Sequence, residues 1–111
     1  MLIINLHQSW INLASALRNL GKLEGAIASY DKALEIKPDD YQAWYKRGNA
    51  LYDLGKLEEA IASYDRALEF KTDYYEAWYN QGSALYSLGR LKEAIASYNR
   101  ASEFKTDYYE A

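Results

Sequence analysis

The sequence predicts an all-α fold made of repeated helix pairs. Three observations lead to this prediction. First, Trp10, Trp44 and Trp78 recur with a fixed spacing of 34 residues. Second, apolar residues within each period are spaced three and four apart, which places them on one face of an α-helix. Third, no stretch of strand length alternates apolar and polar residues, so the repeats are predicted to contain helices without strands.

The period divides the chain of 111 residues into three units and two short ends. A period of this size is typical of proteins in which each repeat is one supersecondary unit. We predict an N-terminal extension, three repeats and the start of a truncated fourth repeat, at residues 1–6, 7–40, 41–74, 75–108 and 109–111. The second and third units are identical at 25 of 34 positions. A natural, duplicated array, an excised piece of a longer protein and a designed repeat are all consistent with that identity.

The second unit illustrates how each period divides into two helices. Its first apolar stripe holds Trp44, Gly48 and Leu51, and its second runs from Leu57 to Leu68. Both stripes have helical spacing. Each unit is therefore predicted to be a pair of antiparallel helices, A and B, of about 12–14 residues each.

Glycines and acidic residues mark the predicted helix ends. Gly55, like Gly21 and Gly89, follows the last apolar residue of a helix A, where a left-handed backbone carries no Cβ penalty. Residues 73–76, Asp-Tyr-Tyr-Glu, have the form of a capping box at the next helix start. Residues 39–42 and 107–110 have similar sequences. Pro38 is predicted to end the first helix B, and Thr72 and Thr106 stand at the same place in the later units.

Two glycines inside helix A predict a close contact. Gly48 and Gly82 occupy matching positions, opposite Ala60 and Ala94 of helix B. A glycine within a helix costs about 1 kcal/mol relative to alanine. Its recurrence therefore predicts a close approach of the two helix backbones that offsets this cost.

Together these residues resemble the tetratricopeptide repeat, a 34-residue helix–turn–helix family. The family pattern is an aromatic residue, then Leu-Gly, Tyr and Ala, and then an aromatic, Ala and Pro. In the second unit the matching residues are Trp44, Gly48, Leu51, Gly55, Ala60, Tyr64, Ala67 and Leu68. The resemblance implies an α-solenoid of three helix pairs in a right-handed superhelical stack. It also implies that helix A lines a concave groove, and that such arrays act as scaffolds by binding peptide segments.

We expect the side chains of helix A opposite the Trp44 face to line this groove. The hypothesis is a two-by-two panel of tyrosines flanked by amides and a hydroxyl. The candidate peptide-binding residues are Tyr45, Asn49, Tyr52, Tyr79, Asn80, Ser83 and Tyr86. Tyrosine offers wide amphipathic contact at low entropy cost, and the amides can pair with a peptide backbone.

One branch of the family clamps the terminal carboxylate of heat-shock chaperones with lysines, an arginine and two asparagines. If this clamp begins at the second unit, Asn49 and Asn80 match its asparagines. However, Tyr45 and Glu110 occupy two of its basic places. Since an anion clamp needs cations, the sequence argues against this ligand.

The composition excludes several other classes of function. The net charge of −3 argues against nucleic-acid and anionic membrane surfaces. With no cysteine and one histidine, the chain cannot use thiolate catalysis or a metal site rich in these residues. No apolar run approaches the roughly 20 residues of a membrane span. We expect no cofactor, no metal and no enzymatic activity, and a cytoplasmic location.

The two ends of the array are predicted to expose apolar surface. A repeat stack buries its core only between neighbours, so the last helix B would leave uncovered the seam that a fourth unit would bury. Candidate residues for self-association at this end are Ile95, Tyr98, Phe104, Tyr108 and Tyr109. The alternative function is therefore a repeat scaffold that forms homo-oligomers through its ends. Head-to-tail stacking and two-fold pairing are both open at this point.

Overall fold

A computed structural model describes the backbone of residues 5–110 and the side chains of residues 5–106. This part of the chain contains six α-helices and no strand. The helices are α1 (Leu6–Asn19), α2 (Leu23–Ile36), α3 (Tyr41–Asp53), α4 (Leu57–Phe70), α5 (Tyr75–Ser87) and α6 (Leu91–Glu110). The all-α prediction is confirmed.

The helices form three pairs, α1 with α2, α3 with α4, and α5 with α6. Neighbouring pairs meet where α3 packs on α2 and where α5 packs on α4. The result is an elongated stack with extents of 51 × 34 × 21 Å. None of the helices within residues 5–110 has the length and apolar character needed to cross a lipid bilayer.

The glycine that ends each helix A behaves as predicted. Gly55 has a φ of +84°, and Gly21 and Gly89 each have a φ of +77°. Around Gly55, the Gly55 N–H donates to the Tyr52 carbonyl and the Lys56 N–H donates to the Leu51 carbonyl, both at 2.9 Å. These two bonds form a Schellman motif, which satisfies the last carbonyls of α3 and turns the chain toward α4.

The predicted capping boxes are wrong in detail. Asp40, one residue later than expected, is the N-cap of α3, and its side chain accepts from the Ala43 N–H at 3.2 Å. The matching N-cap of α5 is Tyr74, which makes no side-chain capping bond. Asp73 instead pairs with Lys71 at 3.1 Å. The ring of Tyr74 packs against Tyr41 and Tyr45, so apolar contact replaces the cap at this position.

The close contact predicted at the helix A glycines exists, but its partner is a tyrosine ring of helix B. A Cβ at Gly48 would lie 2.6 Å from Cε1 of Tyr64, and one at Gly82 would lie 2.9 Å from Cδ1 of Tyr98. The closest contact at each glycine is therefore made with a side chain. The glycines leave room for the side chain that fills the space between the two helices of a pair, and Tyr64 is fully buried there.

Helix α6 runs further than the sequence predicted. Its counterparts α2 and α4 end at Ile36 and Phe70, whereas α6 continues through Thr106 to Glu110. Residues 107–110 therefore extend a helix and do not form the capping box of a new one. Threonine retains the backbone N–H that proline lacks, so the sequence at 106 permits the helix to continue.

Candidate functional site

The inner face of the stack carries two adjoining depressions between α1, α3 and α5, with volumes of about 280 Å³ and 230 Å³. Arg18 and Asn49 border both. The first is also lined by Ser15, Asn19, Tyr30, Tyr45 and Lys46, and the second by Tyr52, Asp53, Tyr64, Asn80 and Ser83. We call the two depressions together the inner groove.

Two asparagines from successive A helices form the hydrogen-bonded floor of the inner groove. The Oδ1 atom of Asn49 accepts from the Tyr64 hydroxyl at 2.6 Å and from Nδ2 of Asn80 at 2.9 Å. The same Nδ2 atom donates to the Tyr45 hydroxyl oxygen at 3.0 Å. Because these bonds link α3, α4 and α5, the amides are held in fixed positions.

The network leaves part of each amide available. Among the described residues, Nδ2 of Asn49 and Oδ1 of Asn80 have no hydrogen-bond partner. One atom is a donor and the other an acceptor, which are the two functions that a peptide group can satisfy. The groove therefore presents a matched pair of polar groups at its floor.

Burial fixes the protonation state of the phenol beneath this pair. Removal from water raises the pKa of Tyr64 well above its usual value, with the nearby Tyr45 adding to the effect. Tyr64 therefore remains a hydroxyl donor to Asn49 throughout the neutral range. Burial also raises the pKa of Tyr74, on the other side of Tyr45.

Charged residues also border the inner groove. Arg18 spans the first two repeats by donating from Nε to Oδ2 of Asp53 at 2.9 Å. Lys46 lies beside the first depression and is half-buried. No group of histidine, aspartate and glutamate within the described residues could hold a metal ion.

The four tyrosines predicted as one panel occupy different environments. Tyr52 lines the inner groove, and Tyr45 both lines it and packs against Tyr64 with ring centroids 5.9 Å apart. Tyr79 is 57% exposed and Tyr86 is 65% exposed. Asn49, Asn80 and Ser83 all reach the inner groove.

Sequence reasoning missed the contribution of helix B to this face. Tyr30 and Tyr64 are helix B residues, and both are buried. However, Tyr64 and Tyr30 also line the groove depressions, and the Tyr30 hydroxyl lies 3.4 Å from Oγ of Ser15. The signal in the sequence was the glycine or alanine opposite each tyrosine, which lets the ring cross toward helix A.

A third depression of about 500 Å³ lies between α5 and α6. Its lining includes Tyr45, Glu76, Tyr79, Tyr98 and Ala101. Tyr98 is half-buried, packs against Tyr79 with centroids 5.5 Å apart, and shares a hydrogen bond of 3.0 Å with Ser83. Two of the predicted groove tyrosines thus border this depression.

The residues predicted for self-association differ in exposure. Ile95 is 60% exposed, whereas the equivalent Ile61 is 9% exposed because α5 covers it. Phe104 is half-buried and its ring lies 5.3 Å from the guanidinium carbon of Arg100. The side chains of Tyr108 and Tyr109 lie outside the described residues.

Comparisons with known proteins agree with this architecture. A family model described as TPR repeat matches residues 14–55 and 48–89, and one described as Tetratricopeptide repeat matches residues 75–108. No curated protein sequence matches the chain.

Several solved structures have the same fold. A crystal structure of MamA has a TM-score of 0.92 at 22% identity and covers 95% of this chain and 61% of its own. A second MamA crystal structure has a TM-score of 0.86 at 28% identity, and the match covers 95% of this chain and 57% of the MamA chain. This chain thus spans about three fifths of the length of both. The first TPR of Spaghetti (RPAP3), bound to the HSP90 peptide SRMEEVD, has a TM-score of 0.87 at 24% identity. The match covers 90% of this chain and 79% of the RPAP3 chain.

The repeated helix pairs, the glycine-ended A helices and the two matching family models lead to the same assignment. The chain belongs to the tetratricopeptide repeat family.

Proposed function

We propose that this chain is a protein-interaction scaffold that binds an extended peptide segment along the inner groove. The observation that carries the proposal is the fixed pair of unsatisfied polar atoms, Nδ2 of Asn49 and Oδ1 of Asn80, at the groove floor. A peptide carbonyl accepts from the first and a peptide N–H donates to the second. The rings of Tyr45 and Tyr52 supply amphipathic contact beside them.

The proposed role is binding without catalysis. The groove supplies amides, phenols and an Arg18–Asp53 ion pair. This set has no activated nucleophile with a base held beside it, which covalent or acid–base catalysis requires.

The ligand proposed here differs in chemistry from an acidic chain terminus. The RPAP3 neighbour binds the HSP90 peptide SRMEEVD. In this chain the inner groove is lined by two basic residues, Arg18 and Lys46, and Arg18 is already paired with Asp53. Because a carboxylate clamp needs several free cations, we expect SRMEEVD to bind weakly and a peptide that uses backbone and aromatic contacts to bind better.

A random peptide library displayed on phage tests the groove assignment. Peptides selected on the wild-type chain are measured by calorimetry against Asn80→Ala, which removes the acceptor but leaves the Tyr64–Asn49 bond in place. We expect affinity to fall about two- to tenfold for each hydrogen bond lost. Glu24→Ala, at an exposed residue of α2 outside the inner groove, is the matched control and should bind normally. Equal affinity of both variants would argue against the groove.

We also propose a second function, self-association through the two end faces. The observation that favours it is the contrast between Ile61 and Ile95, which have the same neighbours in sequence but exposures of 9% and 60%. An exposed apolar patch at the end of a stack is typical of an interaction surface. Sedimentation velocity over a concentration series tests this proposal, and a monomer at every concentration would contradict it.

A further inference from the structure

We propose that copies of this chain stack head to tail, with α1 of one copy packed on α6 of the next. This inference rests on the proposed self-association and adds to it a direction and a set of contacting residues. The occupant of each end face is therefore a second copy of the same chain.

Within residues 5–106, no helix covers one face of α1, whereas the matching faces of α3 and α5 are covered. Ala50 and Ala84 are both 0% exposed because α3 packs on α2 and α5 packs on α4. Ala16 occupies the same position in α1 and is exposed. Leu13 is 45% exposed and Leu6 is 59% exposed. We call Leu6, Ser9, Leu13 and Ala16, which share one face of α1, the head face.

The outer surface of α6 is the complementary end. Within the stack, Ile61 of α4 packs in one apolar cluster with Ala84 and Leu85 of α5. Ile95 is its equivalent on α6 and is 60% exposed. Leu91, one turn earlier, is also exposed. We call Leu91, Ile95, Tyr98 and Asn99 the tail face.

The polar contacts of the inner seams identify which residues would meet. At the first seam, Nε of Arg47 donates to Oδ1 of Asp31 at 2.6 Å. At the second seam, Nε2 of Gln81 donates to Oδ1 of Asp65 at 2.5 Å. In each pair, a residue of helix A contacts a residue of the preceding helix B. The residues of the second pair lie 34 positions after their equivalents in the first pair.

At the two end faces, different residues occupy both positions of this polar pair. The head-face residue at the position of Arg47 and Gln81 is Leu13, and the tail-face residue at the position of Asp31 and Asp65 is Asn99. A leucine packed over an aspartate would bury an unpaired charge, which is costly. With asparagine in place of the aspartate, no charge would be buried under the leucine. The two positions that would meet, Leu13 and Asn99, are both uncharged.

The same comparison sets the direction of association. Both inner seams place a helix A on the preceding helix B, and the head and tail faces are copies of the two sides of that seam. Head-to-tail contact repeats an arrangement that the chain already makes twice. A two-fold pairing of two tails would instead leave both head faces uncovered. Head-to-tail contacts are heterologous, so they extend into longer assemblies as concentration rises.

Two variants and their mixture test the proposal by sedimentation velocity. Leu13→Lys places a charge on the head face, and Ile95→Lys places one on the tail face. Each variant alone should lose association by at least about tenfold, since the lysine would be buried in the seam. Their mixture should form a one-to-one dimer that does not grow, because only one intact head and one intact tail remain to meet. Ile36→Lys, at an isoleucine that is 50% exposed on α2, is the matched control and should assemble like the wild type.

Each other outcome overturns the inference in a distinct way. A wild-type monomer at every concentration would remove both self-association and the head-to-tail arrangement. Continued dimerisation of Leu13→Lys with a monomeric Ile95→Lys would retain self-association but establish two-fold pairing of tails. A mixture that stays monomeric would also exclude the head-to-tail contact. Circular dichroism of each variant checks that its helices are intact.

Discussion

The second and third repeats share most of their residues but differ in where helix B ends. Residues 71–77 and 105–111 have the same sequence, KTDYYEA. After α4 ends at Phe70, the first copy forms a turn and starts α5 at Tyr75. Residues 105–110 of the second copy continue α6. Residues 71–76 and 105–110 thus have one sequence but adopt two structures, so their neighbours decide where the helix ends.

Contacts with the following helix α5 and with α3 hold the turn in the first copy. Nε1 of Trp78 donates to the Thr72 carbonyl at 2.7 Å. The Tyr74 ring meets Tyr41 and Tyr45 with centroid distances of 5.3 Å and 4.9 Å. Among the described residues, no indole donates to the Thr106 carbonyl. Without that donor the local helix preference of the segment prevails.

The largest effect expected from this comparison is at the tyrosine of helix B. Tyr64 is fully buried and Tyr98 is half-buried. Tyr64→Ala should lower the free energy of unfolding by about 3–5 kcal/mol, and Tyr98→Ala by about half as much because the Tyr98 ring is only half-buried. Urea unfolding followed by circular dichroism measures both. Equal losses would contradict the view that burial by the next repeat determines the contribution of this residue.

A smaller effect is expected at the glycine opposite each ring. Gly48→Ala gains about 1 kcal/mol in helix propensity but places a Cβ 2.6 Å from the Tyr64 ring. Overpacking costs about 1–3 kcal/mol, so we expect a net loss in urea unfolding. Gly82→Ala should cost less, because the half-buried Tyr98 can shift. The first repeat already has Ala14 at this position, opposite the ring of Tyr30. The variant Ala14→Gly therefore makes the opposite change and tests the same contact in the first repeat. A gain in stability for Gly48→Ala would contradict the packing argument.

The same two repeats explain how far the sequence alone predicts this molecule. Six helices and the glycine turns follow from local spacing and backbone preference, and both were predicted. The end of α6 was not, because the heptapeptide at 105–111 is identical to one that forms a turn. The N-cap of α5 was also missed, since packing of Tyr74 replaced the hydrogen bond that Asp73 was expected to make.

The candidate site was predictable in part for a related reason. Helical spacing placed Asn49 and Asn80 on the groove-facing side of their A helices. In the structure, Nδ2 of Asn80 lies 2.9 Å from Oδ1 of Asn49. Spacing within one helix could not reveal that Tyr64 reaches the groove from α4, because that depends on how two helices of a pair cross. It also could not reveal that Nδ2 of Asn80 is shared between Asn49 and Tyr45.

The next effect expected is a loss of stability at alkaline pH that depends on the second repeat. Burial raises the pKa of Tyr64 in the folded state above the unfolded value of about 10. The neutral phenol is therefore favoured by folding, and its contribution is fully present below pH 10 and is lost as the pH rises above it. We expect the free energy of unfolding to fall above pH 10 by up to about 1.4 kcal/mol per pH unit for this group.

Urea unfolding at several pH values between 8 and 11 measures this loss. Tyr64→Phe is the control, since it retains the ring but cannot ionise. Its stability should be lower at pH 8, because Asn49 loses a hydrogen-bond donor, and should decline less steeply above pH 10. Tyr74, whose pKa burial also raises, contributes a residual slope. A decline as steep in Tyr64→Phe as in the wild type would exclude Tyr64 as the source.

The smallest effect expected concerns the two copies of the heptapeptide. Pro38 follows α2, and Thr72 and Thr106 occupy the same position after α4 and within α6. Thr106→Pro should end α6 near residue 105, because proline removes a helical N–H and disfavours helical backbone in the residue before it. Thr72→Pro should leave the helices unchanged, since that residue already lies in a turn and only the bond from Oγ1 to the Leu68 carbonyl is lost. We expect the stability of either variant to change by less than about 1 kcal/mol. Backbone chemical shifts measure helicity residue by residue, and a persistent helix at 106–110 in Thr106→Pro would mean that contacts with α5, rather than local preference, hold the end of α6.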